Sequence, residues 1–181
     1  MSKLNIDVYV LGPLETNVYI VSNTDTKECV IIDPAERSAF LSGRIEEGGY
    51  TLKAMLITHG HRDHITAVPA LEKKYGLKRQ MYEEEKEMDL IGFRWKVIYT
   101  PGHTADSCCY YIEDEKVIFS GDTLFYGTFG RTEPETEGLL QIKDSLKNKL
   151  FLLPDDVTVL PGHGEPTTIG WEKKDNAIFW T

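Results

Sequence analysis

The chain is predicted to adopt an α+β fold of two β-sheets packed face to face, with helices on the outer faces. Three observations lead there. Short apolar segments and helical stretches follow one another in the order strands, helix, strands, helix. Four of the apolar segments run straight into a histidine or an aspartate. The length of 181 residues suits one domain, 1–181, which can bury on the order of 70% of its unfolded surface.

Taken in order, residues 8–11, 17–21 and 29–32 read as strands, separated by Gly12-Pro13 and the polar turn at 23–27. Asp33-Pro34 then opens a helix whose Leu41 and Ile45 share a face and which ends at Gly48-Gly49. A strand over 53–57 delivers the chain into a run of histidines. After His64, Ile65, Val68, Leu71 and Tyr75 recur at helical spacing, and Gly76 falls where a left-handed C-cap is wanted. Residues 83–87, four of them glutamates, read as a solvated turn or helix face. Phe93, Trp95, Val97 and Tyr99 alternate with Arg94 and Lys96, the pattern of a half-buried strand. Leu139, Ile142, Leu146 and Leu150 mark a helix closed off by Pro154. A short last helix follows Thr167-Thr168, with Glu172 in its first turn, where the helix dipole favours negative charge.

All five histidines fall in one metal-ligand pattern: His59, His61 and His64 in Thr58-His-Gly-His-Arg-Asp-His64, then His103 and His163, each preceded by Pro-Gly. Histidine and aspartate are the donors of a catalytic zinc or iron centre. Asp63 lies inside the first run, and Asp122 in Ser120-Gly-Asp-Thr123 adds a carboxylate able to bridge two metals. Leu56-Ile57 leads to His59, Val97-Ile98 to His103, 117–119 to Asp122, and 157–159 to His163. Each Pro-Gly halts its ladder, because proline lacks the backbone donor and glycine accepts a tight exit. The donors are therefore expected to gather at one edge of the sheets.

Twenty Lys and Arg against 29 Asp and Glu give a net charge of -9, which repels phosphate backbones and excludes a nucleic-acid partner. No apolar run approaches the roughly 20 residues that span a bilayer, and the polar start at 1–7 carries no signal-peptide core. A cytoplasmic location without a membrane partner is the expectation. Cys29, Cys108 and Cys109 are an odd set without Cys-x-x-Cys spacing, and strand neighbours 108 and 109 point to opposite faces, so buried free thiols are expected.

In Thr58-His-Gly-His-Arg-Asp-His64, Tyr99-Thr-Pro-Gly-His-Thr104, Phe119-Ser-Gly-Asp-Thr-Leu-Phe125, Phe129-Gly-Arg-Thr132 and Leu160-Pro-Gly-His-Gly164, the chain resembles the metallo-β-lactamase superfamily, most closely its small glyoxalase II-like hydrolases. The resemblance implies a four-layer αββα sandwich. It implies that His59, His61 and His103 hold one metal, that Asp63, His64 and His163 hold a second, and that Asp122 bridges, with Asp63 and Asp122 the carboxylates of the reacting centre. The implied cofactor is a pair of divalent cations, Zn2+ foremost, with Fe or Mn as alternatives. Asp33 resembles a supporting position behind the ligands, and it equally suits the start of a helix. The chain departs from full-length glyoxalase II enzymes in stopping soon after His163, without their C-terminal glutathione-binding helical domain. It also carries Gly130-Arg-Thr132 where they offer a lysine and a tyrosine.

The implied activity is hydrolysis of a small anionic thioester, or another activated ester, by a metal-bridging hydroxide. A thiolate leaves readily because a thiol has a pKa of about 8.5, whereas an amine needs a proton from a general acid, and every histidine is already assigned to metal. Arg131 is the candidate for a substrate carboxylate, against the alternative of a surface ion pair. Arg62 is given no role. A second reading uses His59, His103 and Asp122 as the two-histidine, one-carboxylate face of a mono-iron persulfide dioxygenase-like oxidoreductase, whose Gly-Arg-Thr stretch resembles residues 130–132. The third is a metal-stabilised scaffold without chemistry.

Overall fold

A computed structural model describes residues 3–132 and 137–180, leaving Met1 and Ser2 of the polar start outside it. In chain order the elements are β1 (Leu4–Leu11), β2 (Thr16–Asn23), β3 (Glu28–Ile32), α1 (Ser38–Glu47), β4 (Thr51–Leu56), α2 (Arg62–Ile65), α3 (Val68–Tyr75) and β5 (Arg79–Gln80). There follow β6 (Lys86–Leu90), β7 (Phe93–Tyr99), β8 (Cys108–Ile112), β9 (Val117–Gly121), β10 (Leu124–Phe125) and β11 (Thr128–Phe129). The chain closes with α4 (Gly138–Asn148), β12 (Thr158–Pro161), β13 (Thr167–Thr168) and α5 (Ile169–Asp175).

One sheet has the order β1-β2-β3-β4-β5 and the other β13-β12-β9-β8-β7-β6, while β10 and β11 form a separate hairpin. Both large sheets are mixed, as expected. β3 and β4 run parallel across the crossover that contains α1, and β9 and β12 run parallel across the one that contains α4. The remaining neighbours are antiparallel except β4 and β5.

Strand alternation builds the layers. Tyr19, Val21, Val30 and Leu56 of the first sheet face Trp95, Tyr110 and Phe119 of the second in a core between the sheets. Their strand neighbours Val18, Ile20, Ile31 and Met55 point the other way, against Leu41, Ile45 and Leu71 of α1 and α3. On the far side Cys109, Tyr111, Ile118 and Val159 pack on Ile142 and Leu146 of α4. The result is the predicted αββα stack. Each fully buried Leu, Ile or Phe in it contributes roughly 1.5–3 kcal/mol of transfer free energy. Cys108 and Cys109 do point to opposite faces, one into the inter-sheet core and one toward α4, and all three cysteines are free and buried.

Several local expectations are corrected. The first helix starts at Ser38, because Asp33 sits in the left-handed region at φ 48 and cannot open a helical turn. The stretch after His64 is two helices, broken ahead of Pro69, although Gly76 does cap the second with φ 68. Glu87 lies in β6, an edge strand whose exposed charges suit a sheet margin. Leu139 is at the solvent side of α4, whose buried stripe is Gly138, Ile142, Ser145 and Leu146. Pro161 remains in the ladder opposite Gly121, where the register shifts, so the second Pro-Gly ends its strand one residue later than expected.

The topology places the donors. β7, β9 and β12 point the same way, so their C-terminal ends lie along one edge of the second sheet, and the end of β4 meets them from the first. The sheets are tied there by backbone hydrogen bonds from Cys108 N to Thr58 O (2.8 Å) and Asn17 N to Gly162 O (2.8 Å).

Candidate metal centre

At that edge the seven expected donors converge. Ligand atoms of His59, His61 and His103 lie within 4.8 Å of one another, as do those of Asp63, His64 and His163, and those of His59, His64 and Asp122. Asp122 faces both triads. Its Oδ2 is 3.5 Å from His103 Nε2 and 3.5 Å from His163 Nε2, and its Oδ1 is 3.4 Å from His64 Nε2. Asp63 Oδ2 lies 3.4 Å from His64 Nε2 and 3.3 Å from His163 Nε2.

The surrounding acceptors fix which ring nitrogen faces the centre. A carboxylate or carbonyl oxygen only accepts, so the imidazole touching it donates. His64 Nδ1 gives its hydrogen to Asp33 Oδ2 (2.9 Å), His103 Nδ1 to Arg131 O (2.8 Å) and His163 Nδ1 to Leu14 O (2.9 Å). The Thr58 hydroxyl donates to Asp33 Oδ2 (2.6 Å), so its oxygen is left to accept from His59 Nδ1 at 3.1 Å. Four rings thus turn Nε2 inward. His61 instead presents Nδ1, 2.9 Å from His103 Nε2.

This donor set fits divalent cations. His59 Nε2 and Asp122 Oδ1 are buried without a hydrogen-bond partner, a condition that costs about 1–3 kcal/mol per group unless something else satisfies it. Two ring nitrogens, His61 Nδ1 and His103 Nε2, approach each other as a chelating pair would, and His64 Nε2 and His163 Nε2 do the same at 3.3 Å. These three triads are where such ions could be held.

Electrostatics sort the groups. Burial, reinforced by neighbouring His64, pushes His59 down to about 3, so the imidazole is neutral at every physiological pH. His103 is also lowered, chiefly by burial. Burial opposes charge on His64 as well, but Asp33 and Asp122 beside it prevail and raise it to about 10. Its Nδ1 hydrogen is committed to Asp33, so the proton on Nε2 is the one a cation would replace. Asp122, although burial works against its charge, is held down to about 2 by His64, His59 and His163.

A cavity of about 550 Å³ opens over the centre, lined by Leu14, Arg62, Asp63, Asp122, Phe125 and Arg131 together with His61, His103 and His163. Arg131 stands exposed at its rim as a candidate substrate partner, and its carbonyl also orients His103. Arg62, given no role from sequence, lines the same cavity. Leu14, Thr16 and Phe125 were not foreseen. Thr16 Oγ1 donates to Asp63 Oδ2 (3.2 Å) and Leu14 serves through its backbone oxygen, contacts made across the fold that no local motif announces. Asp33 is a supporting group, buried and bonded to Thr58 N (2.8 Å), Thr58 Oγ1 and His64.

Comparison with known proteins agrees with this geometry. The model of a family described as the metallo-beta-lactamase superfamily matches residues 11–90 and 77–163. The hydroxyacylglutathione hydrolase GloC of Haemophilus influenzae is 30% identical over 209 residues, covering 97% of this chain and 98% of its own length. Among solved structures, the BLEG-1 B3 metallo-beta-lactamase superposes with a TM-score of 0.86 at 29% identity, covering 96% of this chain and 99% of that one. TTHA1623 in a di-iron-bound form superposes with a TM-score of 0.81 at 29% identity, covering 94% and 98%.

Proposed function

Since the chain belongs to the metallo-β-lactamase superfamily of enzymes, we propose that it is a binuclear metal-dependent hydrolase acting on small anionic thioesters or other activated esters. The observation that carries this is the convergence of seven donors as two triads sharing Asp122. A relative named for hydroxyacylglutathione hydrolysis and a solved relative described as di-iron-bound support the substrate class and the pair of ions. His59, His61 and His103 would hold one ion, and Asp63, His64 and His163 the other, with Asp122 between them. Zn2+ suits such nitrogen and carboxylate ligands, and iron or manganese are the alternatives. When bound, the ions would supply the attacking water, by lowering its pKa to roughly 7, and polarise the scissile carbonyl.

The protein's own groups do the rest. Asp63 and Asp122 keep the centre's charge partly balanced, and Thr16 fixes the Asp63 carboxylate from the far side. Arg131 receives an anionic group of the substrate at the rim, where a guanidinium offers two parallel donors to a carboxylate. Leu14 and Phe125 give the cavity an apolar flank for an acyl chain. Among the described residues lining the cavity there is no lysine or tyrosine to protonate a leaving amine. That favours a thiolate, which departs without a proton because its conjugate acid has a pKa of about 8.5.

Oxidation at a single iron held by His59, His103 and Asp122 is the second reading, favoured by the way those three face one another, with Asp122 Oδ2 4.0 Å from His59 Nε2 and 3.5 Å from His103 Nε2. Metal analysis of protein purified without added metal, with assays on S-acyl glutathiones, lactones, a β-lactam and glutathione persulfide under oxygen, separates the two. Two ions per chain with thioester turnover is the expected result. One iron with oxygen uptake on the persulfide would replace the hydrolase.

A further inference from the structure

Glu172 lies in the first turn of the last helix, as expected, and it is fully buried there. Neutral groups surround its carboxylate. Thr167 Oγ1 donates to Oε1 at 2.7 Å, Asn176 Nδ2 to Oε2 at 2.6 Å, and the Gly127 amide to both oxygens at 3.1 and 3.2 Å. Gly127 is the turn of the β10–β11 hairpin. From the same helix and the residues just past its C-terminus, Asn176 Nδ2 also reaches Thr128 O (2.9 Å), Ala177 N reaches Gly127 O (3.0 Å), and Trp171 stacks on Tyr126 with ring centroids 4.4 Å apart.

That hairpin is a wall of the metal cavity. It leaves the centre at Asp122 and returns to it at Gly130-Arg131, where Gly130 packs so closely on the Asp122 backbone that a Cβ would collide with it. Phe125 on its first strand lies edge-on to His163, with centroids 6.2 Å apart, and Arg131 just past its second strand holds His103 through the carbonyl. Two strands of two residues each cannot keep their own geometry in water. Something must hold the far end.

We propose that Glu172 is a positioning residue for the metal centre, acting from the C-terminal helix through the β10–β11 hairpin to set the Arg131 carbonyl against His103 and Phe125 against His163. The proposal rests on the binuclear reading above. Groups that orient metal-bound histidines typically govern 10–100-fold in metal affinity, so a slackened hairpin should act on binding before it acts on folding.

The test uses the full-length protein, titrated with Zn2+ against a competing chelator, together with the solvent exchange of the His103 Nδ1–H resonance in the zinc-loaded form. Glu172→Ala should weaken at least one ion about 10-fold and speed that exchange. Glu172→Gln, which keeps one acceptor oxygen but turns a donor toward Gly127 or Asn176, should fall between it and the unsubstituted protein, and it carries the test if the alanine variant does not fold. Leu41→Ala, a core change under α1 on the outer face of the other sheet and away from the hairpin, should lower Tm while leaving metal affinity and exchange unchanged. Unchanged affinity and exchange in the Glu172 variants would overturn the proposal, as would an equal loss in Leu41→Ala. Failure of the unsubstituted protein to bind any ion would instead remove the binuclear centre itself, and the clamp with it.

Discussion

Asp33 Oδ2 accepts the Nδ1 hydrogen of His64 at 2.9 Å and the hydroxyl of Thr58 at 2.6 Å, while Oδ1 takes the Thr58 amide at 2.8 Å. Three donors therefore meet one carboxylate behind the histidine cluster. In Asp33→Asn the amide nitrogen must face at least one of them. The variant should lose about 1–3 kcal/mol of stability without metal and 10–100-fold in affinity for the ion of Asp63, His64 and His163. Denaturant unfolding and chelator competition measure the two, and unchanged affinity would mean that Asp33 serves folding alone.

Gly162 offers a separate probe of the same geometry. A Cβ there would press on Asp122 Oδ1 and stand 2.8 Å from His64 Cε1, so both side chains would have to shift. Gly162→Ala is expected to bind fewer than two ions per chain while keeping its far-UV circular dichroism. Full occupancy by elemental analysis would show that the two triads tolerate a shift the structure does not allow.

Arg131 can be tested because its two contributions come from different atoms. Arg131→Ala leaves the carbonyl that receives His103 and removes the side chain beyond Cβ, the guanidinium with it. On an anionic thioester KM should rise about 10-fold with kcat nearly unchanged, on a neutral ester neither should move, and Arg131→Lys should restore part of the loss. Equal effects on charged and neutral substrates would leave Arg131 without a part in recognition.

The cysteines should be inert. Burial pushes the thiols of Cys29, Cys108 and Cys109 each up to about 12, so the reactive thiolate is scarce at pH 8 and reagent access is closed as well. A thiol-specific disulfide reagent should label none in the native protein and all three once unfolded. Labelling would become appreciable only as pH climbs toward that raised value.

Much of this was legible because apolar strand segments run directly into the histidines and the aspartate. Trp95 and Val97 alternate with charged neighbours and are buried as read, and each of four strands runs into its donor at one edge. What escaped was set by tertiary context. The hairpin 124–129 has too few residues per strand to show alternation, and Glu172 looks like any first-turn glutamate until Gly127, Thr167 and Asn176 close around it. Asp33 before Pro34 looked like a helix start as much as a supporting carboxylate, and only its left-handed backbone and its contact with His64, 31 residues on, separate the two. Leu14 and Thr16 reach the ligands from a turn whose composition says nothing of metals.

The proposed chemistry requires two cations side by side, sharing Asp122. Anomalous diffraction at the metal edge from crystals of the loaded protein would locate them. Two peaks per chain are expected, one contacting His59, His61 and His103, the other Asp63, His64 and His163, with Asp122 reaching both. A single peak, or peaks away from these side chains, would contradict that chemistry.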